Sequence, residues 1–226
     1  MTLPAVMASL EAVGTAQNVE TYRRHGVTGP IFGASFAFLN GFAKKIGRDH
    51  ELATALWVTG NFDAMHLAVM IADPSGLTDD EADRWLEGVV YHAAAGALCG
   101  VVGRSPVGLS RAKAWIEHPA DLTRNTGYDT LVVLVKEGAD LDAAWLAGVV
   151  AKIEAEVGTS GNRARYAMNQ ALIAIGGYRA DLRDVVIATA RRIGTIEVDH
   201  GDTWCLTPDI VPYIEKIAAR AARKTR

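Results

Sequence analysis

DHELATALWVTGNFDAMHLAVMIADP, residues 49–74, decides the fold of this chain. Its first half places Leu56 and Trp57 on one side of a short helix, and that helix ends at Gly60. The second half is again helical and is apolar on nearly every side except at His66. A helix that is apolar on several sides must be covered on each of them. The sequence therefore predicts a helical hairpin that is stable only when neighbouring helices pack around it.

Tryptophans recur along the chain at intervals of about thirty residues, each followed by an aliphatic residue near the end of a short predicted helix. They are Trp57, Trp85, Trp115 and Trp145. Repetition at this period is typical of stacked helical pairs, each of which buries its apolar face against the next pair. The sequence therefore predicts an all-α, single-domain solenoid over residues 1–226 that ends in a basic C-terminal tail.

Apolar periodicity and Gly or Pro positions predict the limits of several helices. One helix is expected from Phe32 to Ile46, and another begins with Pro119 in its first turn. A third is expected from Arg163 to Ile175 and ends at the Gly176-Gly177 pair. The stretch from Glu197 to Pro208 is the only long one without helical periodicity, and no β-hairpin signal occurs.

Composition excludes several classes of protein. Half of the residues are hydrophobic, which is ample for a continuous core. Cys99 and Cys205 are too few for a disulfide framework, so we expect a protein of the reducing cytoplasm. The first residues lack the pattern of a signal peptide. No apolar run approaches the ~20 residues that a membrane span requires, so we expect no membrane partner.

Charge is distributed unevenly along the chain. The net charge is −3, with +2 in residues 1–50, −9 in residues 51–160 and +4 in residues 161–226. Nucleic-acid-binding proteins usually carry a basic excess, so phosphate contact would depend on local clusters. Solvated surface charge or the helix dipole explains any single basic residue, but their grouping favours DNA binding. The candidate DNA-binding residues are Arg23, Arg24, Lys44, Lys45, Arg48, Arg163, Arg165, Arg191 and Arg192.

Four extended runs carry a resemblance to a known family. They are YRRHGVTGPIFGASFAFL (residues 22–39), LATALWVTGNFDAMHLAVMIADP (52–74), NRARYAMNQALIAIG (162–176) and IEVDHGDTWCLTPD (196–209). These runs resemble the DNA alkylation repair enzymes of the AlkD type, and the similarity extends over nearly the whole chain. The resemblance implies a curved solenoid of HEAT-like helical repeats.

The same resemblance implies an activity and a set of site residues. Active members excise positively charged alkylated purines with a tryptophan and an aspartate one helical turn apart, an arginine in the next repeat and a second tryptophan after it. Matching the runs places His92, Gly96, Asn125 and Gln170 at these four positions. All four differ from the family residues, and glycine in particular cannot stabilise a developing cation. We therefore expect DNA binding without the family's standard excision chemistry, and leave open whether the chain is an enzyme.

The irregular stretch near the C-terminus offers another set of polar side chains. Asp199, His200, Asp202 and Cys205 lie close together there. They would suit a carboxylate–histidine pair or a metal site, but their spacing matches no zinc pattern, and such residues also stabilise long turns. We expect a structural loop with no metal and no cofactor. The alternative functions are a glycosylase that uses a different site, such as this loop, and a scaffold that binds a protein partner through its acidic middle repeats.

Overall fold

The structure, a computed structural model, describes residues 1–89, 92–201 and 205–224. Within these residues the chain forms thirteen α-helices and a short 3₁₀ turn at Pro74–Gly76, with no β-strand. The helices are α1 (Leu3–Ala12), α2 (Ala16–Arg24), α3 (Phe36–Ile46), α4 (His50–Val58), α5 (Phe62–Ile71), α6 (Asp79–Glu87), α7 (His92–Val102), α8 (Gly108–Ile116), α9 (Asp121–Lys136), α10 (Ala143–Glu156), α11 (Asn162–Tyr178), α12 (Arg183–Ile193) and α13 (Ile210–Lys224).

The helices pack in consecutive pairs within two compact units, Met1–Val107 and Gly108–Arg226. In the first unit α4 pairs with α5 and α6 with α7, and the second helices α5 and α7 also pack together. In the second unit α8 pairs with α9, α10 with α11 and α12 with α13, while α9, α11 and α13 form a continuous layer of second helices. The all-α stack of helical pairs is thereby confirmed within each unit, and the single domain over residues 1–226 stays a prediction.

The repeated tryptophans lie on the first helices of successive pairs. They are carried by α4, α6, α8 and α10. Trp57 and Trp85 stack with their ring centroids 4.8 Å apart, and the Trp57 Nε1–H donates to the Trp85 carbonyl at 3.0 Å. Trp115 is buried, and Lys113 places its Nζ 4.9 Å from the Trp145 ring centre. The spacing of about thirty residues is thus the length of one helical pair.

The helix predicted from Phe32 begins instead at Phe36, and a buried carboxylate explains the difference. Asp63, in the first turn of α5, is fully buried. It accepts hydrogen bonds from the backbone N–H groups of Phe32, Gly33 and Ala34 at 2.7, 3.1 and 2.8 Å. These groups are therefore held by the next helical pair, and the backbone at Gly33 has a φ of 87°, which an α-helix does not allow. The helical prediction for residues 32–35 is wrong because it considered only local periodicity.

Two other helix boundaries also differ from the prediction. The helix predicted to carry Pro119 in its first turn begins at Asp121, whose carboxylate accepts the N–H groups of Arg163 and Ala164 at 3.1 and 2.9 Å. The helix predicted to end at Gly176 continues to Tyr178. Side chains of α13 lie directly on Gly176 and Gly177, where a Cβ would collide with them. These glycines therefore allow close packing rather than ending the helix.

None of the helices in the described ranges is long and apolar enough to cross a membrane.

Gly127 tests how closely α8 and α9 approach each other. A Cβ at this position would lie 2.5 Å from the Ile116 nitrogen and 2.7 Å from the Trp115 carbonyl carbon, and these backbone atoms cannot rotate away. We expect Gly127→Ala to lower the free energy of unfolding by about 2 kcal/mol. Gly148→Ala is the matched control, because a Cβ there meets nothing within 4 Å. It should raise stability by ~0.5–1 kcal/mol. Urea denaturation of both variants measures this, and equal midpoints would contradict the close approach.

Candidate nucleic-acid interface

A basic groove opens in the first unit near the C-terminal ends of α3, α5 and α7. Its cavity has a volume of about 740 Å³, and small residues such as Ala97 and Gly100 form part of its wall. Three basic residues line it, namely Lys44, Arg48 and Arg104, and none of its described lining residues is acidic. An anion that enters this groove therefore meets cations and small side chains, which favours its binding. We call this surface the basic groove.

Arg48 is held at the edge of the basic groove by a weak ion pair. Its Nη1 lies 3.5 Å from Asp73 Oδ1, and the Arg48 side chain is 74% exposed. Exposed pairs of this kind contribute only ~0–1 kcal/mol. A hydrogen bond from the Ser75 N–H is the main cause that lowers the pKa of Asp73, and the charge of Arg48 contributes less. Arg48 can therefore exchange this partner for a phosphate at little cost.

The other two cations of the basic groove lie at helix ends. Lys44 is exposed in the last turn of α3, where the helix dipole favours a positive charge. Its ammonium forms no ion pair with a described residue. Arg104 follows the end of α7 and donates from Nη1 to the Gly100 carbonyl at 3.0 Å.

Gly96, the position that matches the family aspartate, lies in α7 with open space around it. It is exposed, and a Cβ added there would meet no atom within 4 Å. A carboxylate would therefore fit at this position without disturbing the fold, but the sequence supplies none. His92, which matches the first tryptophan, is the first residue of α7, and its side chain lies outside the described part of the structure.

The predicted cations of α2 and α12, together with Lys45 of α3, do not line the basic groove. Arg23 donates to the Val27 carbonyl at 2.8 Å. Arg192 forms a two-point pair with Glu154, at 2.6 and 2.9 Å, and is therefore already engaged. The others are exposed in the last turns of their helices, where nothing described binds them tightly: Arg24, Lys45 and Arg191.

Arg163 and Arg165 lie in the first turn of α11. Arg163 is exposed, and Asp121 fixes its backbone through the N–H group. Arg165 is half-buried, and its Nε has no hydrogen-bond partner in the described structure. Both guanidinium groups belong to the second unit, whereas the basic groove belongs to the first.

Asn125, the position that matches the family arginine, is buried and is bonded to an aspartate one turn further along α9. Its Nδ2 donates to Asp129 Oδ2 at 3.0 Å. Asp129 is half-buried, and no described cation lies within ion-pairing distance of it. Burial is the main cause that raises the pKa of Asp129 to about 6, against the opposing effects of the Asn125 hydrogen bond and the charge of Lys136. A carboxylate in this state is a candidate functional group.

Asp129 lies close enough to α11 for its charge to act on Tyr166. Burial raises the pKa of the Tyr166 hydroxyl first, and the negative charge of Asp129 raises it further. Gln170, which matches the second family tryptophan, is half-buried one turn after Tyr166 on the same helix. Sequence reasoning missed Asp129. Its i+4 spacing from Asn125 was the available signal, because that spacing puts two side chains on one helix face.

The loop near the C-terminus is fastened to α11. Asn162 donates from Nδ2 to the Asp199 carbonyl at 2.7 Å and accepts from the Asp199 N–H at 2.8 Å. His200 Nε2 lies 2.9 Å from Thr207 Oγ1, and its ring meets the edge of Tyr166 with a centroid distance of 5.6 Å. These contacts support the structural interpretation of the loop.

Two further members of this predicted cluster have different environments. Cys205 is exposed and forms no disulfide, while Asp202 falls outside the described residues. Among the residues that are described, no three His, Cys, Asp or Glu side chains are grouped so that they could hold a metal ion.

The raised pKa of Asp129 predicts a specific dependence of stability on pH. The native state holds the proton up to about pH 6, whereas the ordinary value is 3.8. The contribution of the Asp129 carboxyl to the free energy of unfolding is therefore at its full value below about pH 4. It is lost as the pH rises through 6 and the buried group must ionise. Asp129→Asn should have wild-type stability at pH 4 and exceed it at pH 7 by about 1–3 kcal/mol. Denaturant titrations at both pH values test this, and an equal difference at both would contradict it.

Comparison with known proteins gives relatives of the same length. An uncharacterized protein of Listeria innocua serovar 6a is 26% identical over 97% of this chain and 99% of its own length. A second, from Listeria monocytogenes serovar 1/2a, is 25% identical with the same coverage. A solved structure from a family related to the HEAT-like repeat DNA glycosylases, with affinity for branched DNA structures, matches with a TM-score of 0.88 and 25% identity. The match covers 98% of this chain and 95% of that chain.

The HEAT-like repeat fold implied by the sequence resemblance is confirmed by this structural match. The sequence model of the family described as DNA alkylation repair enzyme matches residues 6–195, which is most of the chain. This protein therefore belongs to the DNA alkylation repair enzyme family.

Proposed function

We propose that this protein binds DNA through the phosphate backbone and does so without the carboxylate that the family's glycosylases use at the position of Gly96. The basic groove carries this proposal, because Lys44, Arg48 and Arg104 line it and none of its described lining residues is acidic. The matched structure comes from proteins with affinity for branched DNA, which supports the same class of ligand here. Branched or otherwise altered DNA is the ligand that we infer.

The groove has the properties of a phosphate site rather than of a base-reading site. Lysine and arginine neutralise phosphates in a sequence-independent way, and this contact supplies most of the affinity of non-specific DNA binding. Its small wall residues, such as Ala97 and Gly100, leave room for a strand to come close to α7. The protein as a whole is acidic, with a net charge of −3. Affinity should therefore be moderate and should fall steeply with salt.

A charge-removal experiment tests the basic groove. We expect Lys44→Gln, Arg48→Gln and Arg104→Gln together to weaken duplex binding and to lower the salt slope by about 2–3, since each lost phosphate contact contributes ~0.9. The single variants Lys44→Gln and Lys45→Gln form a matched pair, in which Lys45→Gln is the control. Lys45 is adjacent to Lys44 in sequence but lines a separate cavity beside Phe38 and Phe42. Fluorescence anisotropy with labelled DNA at several salt concentrations measures both effects.

Unchanged binding by the triple variant would exclude the basic groove as the contact surface. We would then expect the contact surface at Arg163 and Arg165, which remain proposed DNA-binding residues on the second unit. Absence of DNA binding by the wild-type protein would favour the alternative function, a cytoplasmic helical-repeat scaffold whose acidic residues between positions 51 and 160 contact a protein partner.

Asp129 supports a second candidate function, base excision at a site different from the family's. Its carboxylate lies one helical turn after Asn125, the position that matches the family arginine, and is half-buried beside Tyr166. With a pKa of about 6 it is mostly ionised at neutral pH. An ionised carboxylate of low solvation can stabilise the positive charge that develops on a sugar when a glycosidic bond breaks.

Release of alkylated bases from methylated DNA tests this second function. If Asp129 acts in excision, wild-type protein should release cationic alkylated purines, and the rate should fall as the pH drops through about 6. Asp129→Asn should lower the rate by at least ~100-fold while DNA affinity is kept. No release by the wild-type protein, or full activity of Asp129→Asn, would exclude Asp129 as the excision carboxylate and leave the binding function in place.

A further inference from the structure

A second cavity of the first unit lies between the end of α1 and one face of α3. Its volume is about 510 Å³, which is within the range of ~300–1,000 Å³ that is usual for small-molecule sites. α3 lines this cavity and the basic groove with different residues, and the two cavities share none of their described lining residues. We call the second cavity the apolar pocket. The phosphate contacts proposed for the basic groove therefore do not account for it.

The α3 side of the apolar pocket is made by residues on one helix face. Phe38, Gly41 and Phe42 lie at i, i+3 and i+4, and Lys45 follows at i+7. The ring centroids of Phe38 and Phe42 are 5.3 Å apart. Gly41, between them in sequence, has no side chain, and a Cβ there would meet no atom within 4 Å. The glycine thus leaves open space in a pocket that two aromatic rings line.

The α1 side of the apolar pocket is also largely apolar. α1 buries Val6 and Leu10 and packs on α4 and α5. Ala12 and Val13, at its end, line the pocket, and Val13 remains 36% exposed. Ser9 also lines the pocket, but its hydroxyl donates to a carbonyl one turn earlier in α1 at 2.8 Å. An apolar ligand would therefore cover side chains that this unit leaves partly in water.

Lys45 is the one charged residue among the described residues that line the apolar pocket. It is exposed in the last turn of α3, and it forms no ion pair or side-chain hydrogen bond with a described residue. The helix dipole favours a lysine at this position, but it does not explain the apolar surface beside the lysine. A pocket of this composition complements a molecule with an apolar body and a single negative group.

We propose that the apolar pocket binds a medium-chain carboxylate, with the hydrocarbon chain on Phe38 and Phe42 and the carboxylate beside the Lys45 ammonium. Burial of the chain supplies most of the affinity, since transfer of apolar surface out of water is favourable. The charge of Lys45 supplies selectivity against uncharged molecules of the same length. The site belongs to the first unit alone and does not depend on the proposed DNA-binding function.

A backbone-amide NMR titration with octanoate tests the site, and octanol is the uncharged probe of equal chain length. We expect octanoate to shift amide signals of α1 and α3 and to bind more tightly than octanol. Lys45→Gln should weaken octanoate binding by about two- to fivefold, the size of an exposed ion pair, and leave octanol binding unchanged. Lys45→Arg keeps the charge and should keep the affinity. Lys44→Gln is the matched control, because Lys44 lines the basic groove instead.

Gly41 tests the position of the hydrocarbon chain. Gly41→Leu places a side chain in the apolar pocket and should abolish binding of both probes. Gly41→Ala is its matched control, because one methyl group in open space should leave binding intact. Both changes raise helix propensity, so they should not hinder folding.

Two results would overturn the apolar pocket as the site: octanoate that shifts no signals of α1 or α3, and binding that Gly41→Leu leaves intact. Equal affinity of wild-type protein for the two probes, or equal octanoate affinity of wild-type protein and Lys45→Gln, would overturn the carboxylate as the ligand. Gly41→Leu should bind DNA as the wild-type protein does, because Gly41 does not line the basic groove. Failure of this site and failure of the proposed function are therefore distinguishable.

Discussion

Close packing of neighbouring helices against glycines of the second helices is the constraint on which the second unit depends. These helices are covered on several sides, so a side chain of ordinary size between two of them would force the layer apart. At Gly127 the backbone of α9 lies against that of α8, and at Gly176 and Gly177 side chains of α13 lie on α11. Because this layer also carries Asn125, its spacing determines where the polar groups of the second unit lie.

Carboxylates and cations have different roles in this protein. Several carboxylates are committed to the fold: Asp63 collects three backbone N–H groups and Asp121 caps the next second helix. Many cations, in contrast, form no such contact, including Lys44 in the first unit and Lys216 in the second. An acidic chain can in this way present locally basic surfaces, because some of its carboxylates are bonded to backbone N–H groups of the fold. The net charge of −3 therefore says little about its ligand.

The architecture could be predicted well from the sequence, because the helical repeat produces a regular spacing of residues along the chain. The spacing of Trp57, Trp85 and their later counterparts gives the length of a helical pair, and the extended runs give the family. It failed where a distant residue decides local structure. The start of α3 depends on Asp63, about thirty positions away, and the continuation of α11 through Gly177 depends on α13. Asp129 was missed because its burial, and hence its altered acidity, results from packing that no motif records.

Gly96 has a consequence for how this architecture diversifies. The position is exposed, has open space around it and contributes no packing, so the requirement to fold places little restriction on which residue occupies it. Under the proposed function, contact with DNA and a carboxylate at position 96 would be carried by different side chains on one scaffold. A substitution that introduces a carboxylate at this position would therefore leave the packing of the helices unchanged.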